Sequence, residues 1–207
     1  SATGGLFFIR VEIFNPFKDG ESIHQLVIYD IHNDDFNSFE LNFDEAMIKK
    51  SAIVKVTDDV ISMYGYFVKG VHQEEPEGVF YYLFDVKNGS LLRQHIHQFT
   101  DRDKNLIDPS NNASTSDYQH FKPAGIHLTR HNHVLLLMEY RWQSILLIRD
   151  QEGMLYDQPY HYANEGFMFG FDAANELVGS VKFPKKQMSG NVDERLGFAS
   201  FVSNEAM

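Results

Sequence analysis

Ten histidines and no cysteine set the side-chain chemistry open to this 207-residue chain. Without a thiol there is no disulfide, no thiolate metal site and no cysteine nucleophile. Two histidine pairs have metal-ligand character. His95 and His97 sit at the end of a strand, so both rings share one face of it. His131 and His133 sit at a turn, with His120 and His127 nearby in sequence. Zinc needs three or four such ligands converging on one point. Neither pair has a recognisable carboxylate partner, so strand-face or surface histidines are the plainer reading.

Carboxylates offer a second chemistry. Asp101, Asp103 and Asn105 place oxygen ligands at alternate positions, which is how a calcium loop begins. The full pattern fails. Leu106 stands where glycine makes the sharp turn, and Asn112 stands where a bidentate glutamate closes the site. The expectation is no cofactor, with weak calcium binding as the one exception. There is no nucleophile elbow, no His-Glu-x-x-His, no phosphate-binding glycine loop and no dinucleotide fingerprint. A glycosidase pair needs only two carboxyl groups across a cleft, and nothing picks out two among 29 acids. Aromatics are the remaining feature: Trp142, Tyr156, Tyr160 and Tyr162 gather with His161 in one stretch. Such rings serve binding surfaces for peptides or sugars, or else fill a core.

The elements that carry these residues read as strands. Four segments share one pattern of alternating apolar strand, Asp, short polar turn and second strand. They are 26–30 with Asp30, 79–85 with Asp85, 145–150 with Asp150 and 167–172 with Asp172. Asn88-Gly89 and Glu152-Gly153 are hairpin signals, because glycine accepts positive φ. The aspartates are read as turn residues whose carboxylates bond backbone amides two residues on. Val60 to Val68 is a strand whose Gly65 marks a close approach. His133 to Tyr140 is a buried strand, and 196–202 the last one. Asp44 to Ser51 reads as a short helical turn. The stretch Thr100 to Lys122 is a long polar loop, and 187–195 a shorter one.

Composition bounds the partners. Hydrophobic residues are 43% and aromatics 14%, enough for a real core. The net charge is −11, concentrated in residues 1–119, where 19 acids face 10 bases. That acidic surface repels a phosphate backbone and an anionic membrane. No apolar run is long enough to insert into a bilayer. Protein or carbohydrate partners remain, together with self-association through exposed edge strands. The sequence opens Ser1-Ala2-Thr3-Gly4-Gly5 without an initiator Met or a visible signal peptide. It reads as an added or a processed start, and the expectation leans to a periplasmic or extracellular compartment.

Many short strands with turn signals point to an all-β fold, either propeller-like or a β-sandwich. The stretch from Gly166 through Phe171-Asp172 to Pro184-Lys185-Lys186-Gln187 resembles blades of uncharacterised bacterial β-propeller-like proteins, as does Gly78 to Phe99. The resemblance covers about half the chain and departs from the WD40 and kelch patterns. It implies a single β-repeat domain over 1–207, with at most four blades and as part of a longer propeller if incomplete. It implies no activity. The functional expectation is a non-catalytic binding domain, with a carbohydrate-active hydrolase as the alternative.

Overall fold

The computed structural model describes residues 6–14, 22–30, 34–41, 43, 46–70, 73–108 and 118–190. It is all-β, with antiparallel sheets and one seven-residue helix among the described residues. The chain divides into two compact units, Ser1–Gln98 and Phe99–Met207. The boundary falls where the sequence turns from strand into the polar stretch at 100–122.

The first unit begins with a three-stranded meander, β1 (Leu6–Phe14), β2 (Ser22–Asp30) and β3 (Asp35–Leu41). A four-stranded meander follows: β4 (Met47–Lys55), β5 (Val60–Val68), β6 (Gly78–Asp85) and β7 (Ser90–Gln98). Strands β5 and β6 are apolar at nearly every position and are buried on both faces. This is what a continuous rather than alternating apolar run demands. One face carries Ile61, Met63, Phe67, Phe80, Tyr82 and Phe84, packed with Leu26, Ile28 and Leu41 from the smaller sheet. Phe43 joins them edge-on to Phe80, with ring centroids 4.9 Å apart.

Residues 47–51 are strand, not the helical turn that the sequence suggested. A bulge between Ile48 and Lys50 interrupts the two-residue alternation there, which hides the strand from pattern reading. The bulge also brings the Lys50 carbonyl against Gly65, where a β-carbon would overlap it. The glycine thus marks a close approach, as its place in a strand implied.

The second unit holds helix α1 (Asp101–Ile107) and the meander β8 (Phe121–Leu128), β9 (Val134–Arg149), β10 (Leu155–Phe171) and β11 (Leu177–Ser189). The first third of the stretch read as a polar loop is therefore helical. Thr100 and Asp103 form a capping box: the Thr100 hydroxyl accepts from the Asp103 N–H, and the Asp103 carboxylate accepts from the Thr100 N–H. Leu136, Met138, Phe167, Phe169 and Phe171 are buried on one sheet face, and Phe99 stacks on Phe169 at 5.2 Å. Strand β11 runs through Gln187 and Ser189, which the sequence assigned to a loop, and residues 191–195 of that expected loop lie outside the described residues. The strand expected at 196–202 lies outside the described residues.

The turns share one device. Asp150 Oδ1 accepts from the N–H groups of Glu152 and Met154, and Asp172 Oδ1 from those of Ala174 and Glu176. The fourth turn residue has positive φ in both: Gly153 at 86° and Asn175 at 71°. Thr129 builds the same turn, its hydroxyl accepting from the His133 N–H, with Asn132 at φ 60°. Asp85 caps its own turn through the N–H groups of Lys87 and Asn88. Of the turn after Asp30, residues 31–33 lie outside the described residues, and Asp34 has φ 49°.

Candidate functional site

The β9–β10 hairpin is the longest paired element, with partners from Val134–Phe171 to Arg149–Leu155. Its neighbours are shorter. Strand β8 pairs with β9 only as far as Tyr140, and β11 pairs with β10 from Phe171 to His161. Beyond those points the hairpin continues as a two-stranded ribbon among the described residues. Ribbon side chains alternate between two faces. The even-numbered face carries Trp142 opposite Tyr162, Ser144 opposite Tyr160, Leu146 opposite Gln158 and Ile148 opposite Tyr156.

Trp142 and Tyr162 stack nearly parallel, with centroids 5.2 Å apart and an interplanar angle of 9°. Offset stacking of this kind fixes both rings. His120 lies against Trp142 with centroids 5.5 Å apart. All three are half-buried, as is Tyr160, while Tyr156 is exposed. From Trp142 to Tyr156 this face holds rings, hydroxyls, an amide and two aliphatic side chains, and no charge. The structure thus gathers four of the five residues that the sequence grouped here. His161 is the exception: it pairs with Gln143 and occupies the opposite face, because an odd-numbered neighbour on a strand cannot share the even face. His120 belongs with the cluster. No local signal could reveal it, since it arrives through β8 pairing, its carbonyl accepting from the Arg141 N–H at 2.7 Å.

A second grouping lies in the first unit. Tyr64, Tyr66 and Tyr81 are buried on the face of the four-stranded sheet opposite the core described above. Arg93, His95 and His97 continue that face on β7. The Arg93 guanidinium sits over the Tyr81 ring at 5.5 Å, and the His95 and His97 centroids are 6.3 Å apart. Burial pushes the Tyr64 phenol up to about 12 and also raises that of Tyr66, which Glu74 raises further. These phenols are neutral at ordinary pH. Burial, then the charges of His97 and Arg93, hold His95 below its ordinary value, so its imidazole is neutral at pH 7.

The calcium and zinc expectations meet a different geometry. Residues 101–107 are helix, so Asp101 and Asn105 face solvent while Asp103 is buried. The Asp103 carboxylate is taken up by Thr100 and by Ser180, whose hydroxyl donates at 3.1 Å. Helical spacing turns the middle of three alternate residues away from the other two. His131 and His133 lie 6.4 Å apart at their turn. His131 is exposed, whereas His133 lines a shallow apolar groove of about 280 Å³ with Leu135, Met168 and Val181. Among the described residues, no three of His, Asp and Glu converge in a manner that could hold a metal ion.

Compared with known protein families and with curated proteins, the chain matches no family model and no curated sequence. Among the described residues, no helix is long and apolar enough to cross a membrane.

One buried group was not anticipated. Glu139 on β9 is 1% exposed and accepts from Lys185 Nζ on β11 and from Arg141 at 2.8 Å. Two cations hold this carboxylate. Its sequence context, an acid inside an apolar run, was the available signal.

Proposed function

We propose that this chain is a non-catalytic binding domain whose ligand lies along the even-numbered face of the β9–β10 ribbon, and that the ligand is a neutral carbohydrate chain. The observation that carries this reading is the half-buried Trp142–Tyr162 stack, with Tyr160 and Tyr156 in register beyond it. A row of rings on a strand pair offers flat apolar surfaces to sugar rings. The hydroxyls of Ser144 and the tyrosines and the amide of Gln158 offer hydrogen bonds. The face bears no charge, which suits a neutral ligand better than a charged peptide. The carboxylates with known partners support binding over hydrolysis. Glu139 is held by two cations, Asp103 caps a helix, and Asp85, Asp150 and Asp172 cap turns. The scaffold reading is propeller-like. Each unit holds one four-stranded antiparallel meander, the strand arrangement of a propeller blade.

Trp142 is the only tryptophan, so its fluorescence reports on this face alone. Titration with β-1,4-linked oligomers of glucose, xylose and N-acetylglucosamine is expected to give a saturable change with at least one. Tyr162→Ala should weaken it at least tenfold. No change with any of them at millimolar concentration would refute the carbohydrate reading.

A further inference from the structure

The ribbon has two backbone edges, and they are unlike. The β10 edge is blunted: Pro159 has no N–H, Asp157 brings a charge, and Gly190 reaches it, its carbonyl accepting from the Gln158 amide. The β9 edge has none of these devices. From Trp142 to Ile148 it reads Trp-Gln-Ser-Ile-Leu-Leu-Ile, without charge, proline or bulge. The Arg141 N–H bonds the His120 carbonyl on the β8 side. Residues two apart point their backbone groups the same way. Gln143, Ile145, Leu147 and Arg149 therefore direct N–H and C=O to that edge, where no described residue pairs with them. The flanking side chains are exposed on both faces: Ile145 is 64% exposed, Leu146 43% and Leu147 64%. Soluble proteins ordinarily protect such an edge.

We infer that the β9 edge pairs with the β9 edge of a second copy of this chain, antiparallel, about a two-fold axis at Leu146. The strand is complementary to itself in that register. Ile145 meets Leu147 of the other copy, Ser144 meets Ile148, and Leu146 meets Leu146. Gln143 meets Arg149. Arg141 comes beside the turn that carries Asp150 and Glu152, opposite in charge. Moving the axis to Ile145 would set Arg141 against Arg149, and like charges directly opposite oppose pairing. The four outward residues of each copy exchange their N–H and C=O groups, which closes both edges into one four-stranded sheet. Such a two-fold interface is closed, so it yields a dimer and not a fibre. The contact is small, so the dimer is expected to dissociate in the micromolar range. A two-fold normal to the sheet leaves both even-numbered faces on one side. The pairing does not depend on what those faces bind.

Sedimentation of the full chain from 5 to 500 µM tests this. A concentration-dependent doubling of mass is expected. Ile145→Pro removes one outward N–H and leaves the bonds to β10 intact; Leu147→Lys places a charge at the edge. Each should weaken the dimer at least tenfold without changing the circular dichroism, and Leu147→Lys serves if the proline variant fails to fold. In a chain with no cysteine, Leu146→Cys should oxidise to a covalent dimer. Residues facing each other without direct hydrogen bonds lie within disulfide reach. Gln143→Cys, placed opposite Arg149, should not. A monomer at 500 µM overturns the inference, as does a dimer that survives both edge variants. Cross-linking through Gln143→Cys but not Leu146→Cys overturns the register.

Discussion

Lys185 reaches across β10 to the carboxylate of Glu139, 46 residues away, and both side chains are buried. Opposite Glu139, β10 presents Gly166, which has no side chain to place between them. Removing one partner of a buried ion pair strands the other charge, at a cost of about 3–5 kcal/mol. Glu139→Gln is expected to destabilise the second unit on that scale, and Lys185→Met by less, because Arg141 still bonds Glu139 at 2.8 Å. The double variant should lose less than the sum of the two, because Glu139→Gln then no longer strands the buried Lys185 ammonium. Chemical denaturation of the four proteins checks this; additive losses would show that the pair does not interact.

Gly65 faces the Lys50 carbonyl with no room for a β-carbon. Backbone cannot move aside as a flexible side chain can. Gly65→Ala should therefore destabilise the first unit by about 1–3 kcal/mol, the range of overpacked sites. Gly179, which has open space at its β-carbon position, is the control, and Gly179→Ala should be close to neutral. Equal effects in thermal denaturation would contradict the close approach.

Asp172 accepts two backbone N–H groups in its turn. Asp172→Ala leaves both to water and is expected to cost about 1 kcal/mol, while Asp172→Asn keeps an acceptor and should recover part of it. The shared geometry extends the expectation to Thr129: Thr129→Val leaves the His133 N–H without its acceptor and should destabilise in the same sense. The measurement is the urea midpoint of each variant.

The pH dependence of the first unit follows from the buried face. His95 is held below its ordinary value of 6.5, by burial first and then by His97 and Arg93. Below pH 6.5 the unfolded chain therefore binds this proton before the folded one does, and stability falls as pH drops from about 6.5 toward the folded value. His95→Gln should remove that part of the slope between pH 7.5 and 5. At the alkaline end, Tyr64 titrates at about 12 when folded and near 10 when unfolded, so stability should fall as pH rises through that window. Tyr64→Phe should flatten it. Melting temperature against pH checks both; identical profiles in wild type and variants would contradict the assignments.

Much of this protein is legible in its residues. Alternation and continuous apolar runs mark β2, β5, β6 and the core halves of β9 and β10, because period two and burial are written directly in side-chain polarity. The turn aspartates are equally local, since their bonds span at most four residues. Gly65 could be read as a close approach, though not what approaches it. Other features were decided only by tertiary structure. A bulge broke the alternation in β4 and concealed a strand as a helical turn. A capping box and a buried Asp103, bonded to Ser180 across 77 residues, made a helix of the acidic run that resembled a calcium loop. Strand pairing placed His120 against Trp142, whereas the far face of His161 follows from alternation along β10 alone. Glu139 found Lys185 only because three strands lie in register. Local sequence specifies which side of a strand a residue takes; which other strand it meets depends on pairing between segments far apart in the chain, and that is settled only when the whole sheet forms.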